Sequence, residues 1–280
     1  MSVFLRPWYV ILRTAVLFCL PGTVPAQTTP EPPISDNSFL IEEAYNQEAG
    51  VVQHISTFAR ARGGEWAYAF TQEWPLAGQR HQLSYTLPLS RVSAPGGERT
   101  GIGDVAVNYR YQIGGAAGDA VAFAPRLTVL LPTGSSHDGL GAGGVGAQVN
   151  LPFSAVLPAN LVAHTNVGAT YTPRAHDVLG NRAATTGYTL SQSIIWLARP
   201  RLNLMLEGAW NRAQEVTGED HAEWSTDFVI SPGIRGAIDF PSGLQVVPGL
   251  AFPIGVGPSK GERSVFFYLS FEHPFSRSAR

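Results

Sequence analysis

Turns of two kinds alternate along this chain. Short ones fall at 75–79, 114–119, 156–160, 198–201 and 240–243, and longer polar loops lie between them at 90–100, 133–142, 173–184, 213–221 and 254–262. A chain that reverses tightly at one end and loosely at the other builds an antiparallel sheet whose two edges differ. In bacterial outer-membrane β-barrels the tight turns face the periplasm and the long loops face outward.

The segments between the turns alternate with period two, as half-buried strands do. Leu202, Leu204, Leu206 and Trp210 share one face, with Asn203, Met205, Glu207 and Asn211 on the other. Trp224, Phe228, Ile230 and Ile234 oppose Ser225, Asp227, Ser231, Arg235 and Asp239, and Val265, Phe267, Leu269 and Phe271 oppose Tyr268, Ser270 and Glu272. The pattern predicts an all-β, antiparallel transmembrane barrel of about twelve strands, an even number, as expected when both chain ends are periplasmic. These strands are 50–60, 65–74, 79–89, 103–113, 120–132, 143–155, 160–172, 185–197, 202–212, 223–239, 243–253 and 263–272.

Composition agrees with strands that show one face to lipid. Charged residues make up 14% of the chain and the net charge is -2, which leaves no electrostatic footprint for nucleic acid. No apolar run past the first residues is long enough for a helical span. At the start, Arg6 and Arg13 flank an apolar stretch that closes on Val24-Pro25-Ala26. This is the pattern of a secretory signal peptide cleaved before Gln27. The single cysteine, Cys19, lies inside it, so the exported chain would have no disulfide or thiol chemistry. The resulting division is a signal peptide over 1–26, a proline-rich periplasmic lead-in over 27–48, a barrel over 49–275 and a tail over 276–280.

Aromatic spacing supports a membrane setting. Trp66 and Trp74 share a face of one strand, roughly 26 Å apart along it and about 19 Å vertically at a 45° tilt. That approaches the height of the apolar band between the aromatic girdles of a barrel. Pro125, Pro152, Pro232 and Pro248 fall within the expected strands. Proline cannot donate to a ladder, so a bulge is expected at each.

Three blocks carry a resemblance: NSFLIEEAYNQEAGVVQHI at 37–55, GIGD at 101–104, and GLQVVPGLAFPIGVG at 243–257 followed by a final strand closing on Glu272-His273-Pro274-Phe275. Together they resemble the outer-membrane family named for the meta-pathway of phenol degradation, with Glu42–Glu48 as the most specific part. The resemblance implies an outer-membrane barrel that passes small, often apolar or aromatic compounds, and it implies no catalytic residues. Ser276–Arg280 follow Phe275, where such barrels often end on an aromatic.

Inward parity selects the candidate site. Asp104, Asn108, Arg110, Arg126, Thr128, His164, Asn166, Glu207, Asp227, Arg235 and Asp239 all fall on the face opposite the apolar positions. Such charges either form a network that stiffens a filled interior or line a constriction that selects solutes. A lipid hydrolase is a rival reading, because His54 and Ser56 share a strand face. No third group orients them, and a serine nucleophile needs an oriented base. A structural or surface-recognition barrel is another rival. The seven histidines show no paired ligand spacing, so neither a metal nor a cofactor is expected. The glycines of GIGD open a strand rather than a helix, as a turn requires and a phosphate loop does not. The leading expectation is a non-enzymatic outer-membrane channel for a small solute. Its other partners are outer-membrane lipids and the barrel assembly machinery, with its oligomeric state open.

Overall fold

The computed structural model describes residues 36–94, 96–115 and 119–274. The expected signal peptide, the first part of the lead-in and the tail lie outside the described residues.

The barrel wall has twelve antiparallel strands. They are β1 (Val51–Ala61), β2 (Trp66–Pro75), β3 (His81–Ala94), β4 (Gly97–Ile102 and Val105–Tyr111), β5 (Val121–Phe123 and Arg126–Leu131) and β6 (Gly146–Leu157). The other half comprises β7 (Leu161–His176), β8 (Arg182–Arg199), β9 (Leu202–Gly218), β10 (His221–Gly236 and Ile238–Asp239), β11 (Gln245–Ala251 and Ile254–Gly255) and β12 (Ser264–Pro274). Each strand pairs with its sequence neighbours, and β1 pairs along its whole length with β12, Val51 opposite Pro274 and Ala61 opposite Ser264. That pairing closes the sheet and removes its edges, the condition for a β-structure to span lipid.

The two faces divide as the alternation requires. On β9, Leu204 and Leu206 are exposed while Asn203, Met205 and Glu207 are buried. On β12, Phe267 is exposed between buried Phe266 and Tyr268. The wall is therefore apolar outside and mostly polar inside, the reverse of a water-soluble sheet. An apolar surface this extensive belongs against lipid. Trp66, Trp74, Trp196, Trp210 and Trp224 all fall on the outward parity of their strands.

Three of the four prolines correct one expectation, since Pro152, Pro232 and Pro248 sit at no register shift. Pro152 pairs with Asn166, Pro232 with Leu206 and Pro248 with Leu269 in unbroken register. At Pro125 β5 is interrupted and keeps its register against β6, but against β4 the register shifts by one residue there, Arg110 pairing with Arg126 and Gly114 with Phe123. The carbonyls stay in use: Pro125 O accepts from Tyr111 N (3.0 Å), Pro152 O from Ala124 N (3.2 Å) and Pro232 O from Phe252 N (3.0 Å). A residue in an antiparallel ladder directs both backbone groups to one neighbour. Pro152, Pro232 and Pro248 there forfeit one donor bond each and need no inserted residue.

Residues 36–48 belong to the lead-in expected over 27–48, for which the sequence leaves entry into the lumen open. The structure buries Asp36, Ser38, Phe39, Ile41, Glu43, Ala44 and Asn46 against inward-facing side chains of the wall. Gly50, at φ 82°, then turns the chain into β1, with Val51 N donating to Glu48 O at 3.1 Å. The physical reason is satisfaction: this segment has no strand partner among the described residues, and inner-wall side chains supply acceptors for five of its amides and donors for carbonyls such as those of Asp36, Asn37, Glu43 and Tyr45.

Candidate functional site

Residues 36–48 cross the lumen as an irregular chain whose amides are met by side chains from successive strands. Leu40 N donates to Glu207 Oε1 (3.0 Å, β9), Glu42 N to Asn166 Oδ1 (3.0 Å, β7) and Ala44 N to Ser154 Oγ (2.7 Å, β6). Asn46 N donates to Gln112 Oε1 (3.0 Å, just past β4) and Gln47 N to Gln82 Oε1 (2.8 Å, β3). Non-helical backbone at membrane depth persists only where protein satisfies it. Here the wall does so with amide, hydroxyl and carboxylate side chains. All these wall residues lie near the short-turn ends of their strands, so the segment forms a plug at that end.

Two arginines hold the plug by its carbonyls. Arg110 Nε donates to Asn46 Oδ1 (2.8 Å), Nη1 to Glu43 O (2.9 Å) and Nη2 to Tyr45 O (3.1 Å). The same guanidinium lies 3.8 Å from both Glu42 and Glu73 carboxylates. Arg235 Nη1 donates to Asp36 O (2.9 Å) and Asn37 O (2.6 Å). With its amide oxygen turned inward, Asn203 accepts from Arg235 Nε at 3.1 Å. A guanidinium presents its donors in a rigid fork, which suits this gathering of carbonyls. Arg126 pairs with Glu42 at 2.7 Å.

Asp36, the first described residue, is held through both of its carboxylate oxygens. Asp36 accepts from Gln53 Nε2 (2.8 Å), Tyr268 Oη (2.8 Å) and Ser270 Oγ (2.7 Å). Beside it the lining turns apolar. Phe39 packs on Phe266 and Tyr268, at ring separations of 5.9 and 5.2 Å, within a cluster that includes Ile55, Ile195, Met205 and Val247. The plug is thus tied by polar bonds around much of the wall and wedged by one aromatic side chain.

The residues expected to share the lumen separate into groups. Asn108, Arg110, Arg126, Thr128, His164, Asn166, Glu207 and Arg235 occupy the interior as parity requires. Thr128 Oγ1 donates to Asn108 Oδ1 at 2.7 Å, and His164 Nδ1 lies 2.7 Å from Ser154 Oγ. Asp104 does not join them: its carboxylate accepts from Gly134 N (3.0 Å) and Ala142 N (2.7 Å), clamping the long loop after β5. Asp227 is exposed beyond the plug, with Ser259 Oγ 3.4 Å away. Asp239 departs from the expected interior position. It is exposed at a short-turn end, paired with Arg201 at 3.4 Å and accepting from Gln245 Nε2 at 2.7 Å, at the last pair of the β10–β11 ladder and past the point where β9 stops pairing with β10.

His54 and Ser56 do not form a nucleophile and base. Both face outward; His54 Nε2 is 3.3 Å from His273 Nε2, and Ser56 Oγ is 3.3 Å from Tyr68 Oη. Sequence reasoning missed the lumen roles of Asp36, Phe39, Glu73, Gln82, Gln112 and Ser154. The one available signal was the density of polar residues in 42–48 directly ahead of the first strand.

Toward the long-loop end the inward positions regain exposure: Ala67 and Asp227 are exposed, and Thr57, Thr71 and Thr86 half-buried. The interior is a cup open toward the long loops and filled toward the short turns.

No protein-family model matches the chain, and neither does any curated protein. Solved structures do. An outer-membrane channel of Pseudomonas putida F1, described as COG4313, superposes with a TM-score of 0.56 at 14% identity, covering 82% of this chain and 97% of that one. The NanC porin gives 0.49 at 13% identity over 78% of this chain and 98% of its own, and the KdgM porin 0.48 at 9% over 80% and 99%. The likeness to the first establishes a shared outer-membrane barrel fold.

Proposed function

We propose that this protein is an exported outer-membrane channel for a small solute, held closed by residues 36–48. The carrying observation is that inward side chains from β3, β4, β6, β7, β9 and β10 bond the plug backbone, in addition to the bonds that lumen side chains make to one another. A merely rigid barrel could fill its interior with wall side chains, as small barrels do. Here the filling is a separate segment, joined to the wall through Gly50 and held by bonds that can be exchanged for water. Passage by diffusion then requires the plug to shift, and no residue in the arrangement suggests catalysis. The resemblance of 37–55, 101–104 and 243–257 to the phenol meta-pathway family supports a small apolar or aromatic compound as the solute, and the Phe39 cluster offers it an apolar surface once the plug has moved.

Ser38 and Ser193 allow a direct test, because the plug hydroxyl donates to the β8 hydroxyl at 2.7 Å. The variant Ser38→Cys with Ser193→Cys, reconstituted in liposomes, is expected to block uptake of small aromatic solutes when oxidised and restore it when reduced. Liposomes that take up none of them in either state, and none with Phe39→Ala, would overturn the channel.

A further inference from the structure

The outer wall carries a groove at its long-loop end. The ladder between β11 and β12 runs regularly to the Ala251–Phe266 pair. There Phe252-Pro253 interrupts β11, and the contact continues through Ser264 N to Pro253 O (3.0 Å), Gly255 N to Glu262 O (3.0 Å) and the Ile254–Arg263 bridge. The thinned wall leaves a depression of about 800 Å³ between β1, β11 and β12. Its floor is apolar, built on Phe58, Phe252, Ile254 and Phe267, with the Phe58 and Phe267 rings 6.4 Å apart.

Three arginines border this floor: Arg60 at the end of β1, Arg62 in the following turn and Arg263 ahead of β12. Arg62 N donates to Arg263 O at 2.9 Å, so the two backbones adjoin. Among the described residues none of the three guanidiniums makes an ion pair or a side-chain hydrogen bond. Several other arginines find carboxylates: Arg91 with Glu98, Arg99 with Asp138, Arg182 with Glu219. Clustered like charges repel, and at a membrane surface they are stabilised by an anion. Guanidinium groups match phosphate oxygens bidentately.

We infer that this groove binds a phosphorylated, multiply acylated glycolipid of the outer leaflet, its phosphate on Arg60, Arg62 and Arg263 and an acyl chain along the Phe58–Phe267 floor. Charge complementarity and position select the occupant. The arginines stand where hydrocarbon gives way to headgroups, and the floor continues into the apolar band. A free phosphate would leave that floor unused. The inference rests on the orientation that puts the long loops outside, and it is independent of whether the lumen conducts.

The test is native mass spectrometry of the detergent-purified protein with bisphosphorylated lipid A as the probe. Wild type is expected to retain one lipid, and R60Q/R62Q/R263Q to bind about tenfold or more weakly, the loss of charge-assisted phosphate contacts. The single variant R263Q should weaken retention in the same direction if the triple variant does not assemble, and heat-dependent gel mobility reports assembly in each case. Phosphatidylethanolamine should not be retained, and millimolar inorganic phosphate should not displace lipid A. Equal retention by wild type and R263Q, retention of phosphatidylethanolamine equal to that of lipid A, or displacement by inorganic phosphate would overturn the inference.

Discussion

The ring of Phe39 occupies the space that a side chain on Gly249 would need. A Cβ there would meet Cε1 and Cζ of the ring, and one on Gly233 would stand 2.7 Å from its Cε2. Two glycines on neighbouring strands of the wall thus form the seat for one aromatic side chain of the plug. Phe39→Ala removes the wedge and forfeits about 3–5 kcal/mol of packing. In planar bilayers this variant should show more frequent and longer open events than wild type, and Gly249→Val, which evicts the ring from the other side, should act in the same direction. Unchanged conductance in both would separate plug from gate.

Arg110 is a second hold on the plug. Replacing it by alanine frees Glu43 O, Tyr45 O and Asn46 Oδ1 and leaves the Glu73 carboxylate without its nearest guanidinium. Breaking a buried charge pair from one side costs about 3–5 kcal/mol. Arg110→Ala is therefore expected to lower the urea midpoint of the folded barrel and to make the 42–48 segment accessible to protease. Arg110→Lys should rescue only in part, since an ammonium cannot reach separate carbonyls with a rigid fork.

Arg126 and Glu42, at 2.7 Å, join the wall to the plug most directly. Residues in contact couple by about 0.5–3 kcal/mol. A double-mutant cycle with Arg126→Gln and Glu42→Gln, read by equilibrium unfolding in micelles, should give a favourable coupling in this range. Independent effects would mean that the plug does not depend on this contact.

Outside the membrane, Asp177 organises the loop between β7 and β8. Its carboxylate accepts from Asn181 Nδ2 (2.7 Å), Asn181 N (2.9 Å) and Leu179 N (2.9 Å), and these bonds, the Asn181 side chain first, hold its pKa below the ordinary 3.8. A depressed carboxylate pKa contributes order that is fully present above the unfolded value and is lost as pH falls through the folded one. The loop should stay ordered down to that ordinary value and loosen only below it. Carboxyl NMR titration of Asp177, alongside the Asn181 amide, checks the sign; Asp177→Asn should flatten the transition.

Closure itself has a plain readout. With β1 paired to β12 along its length, the unboiled protein should run faster on a detergent gel than the boiled one. Ile55→Pro, which removes a donor within β1, should weaken that difference.

Legibility in the sequence differed between wall and plug for a local reason. Alternation from Leu202 to Arg212 places Glu207 inside and Leu206 outside wherever the strand lies in the barrel, because successive side chains on a strand point to opposite faces. The same rule put Asn108, Arg110, Asn166 and Arg235 inside. It misplaced Asp239, at the short-turn rim past the end of β9's pairing, and it could not foresee that Asp104 would serve a loop. Pro152, Pro232 and Pro248 look like register breaks because the sequence shows a missing donor but not which neighbour that donor would face.

The amino-acid sequence by itself determined a wall: period-two patterning, alternating turn lengths and outward tryptophans specify a closed antiparallel barrel, since each is a property of a few consecutive residues. Only the tertiary structure decided that 36–48 fills the wall. That segment has no period of its own, and its partners, Glu207 for Leu40 and Tyr268 for Asp36 among them, lie on strands far along the chain. Its place follows from burying an otherwise unsatisfied backbone where polar side chains converge, a condition that exists only after the ring has closed.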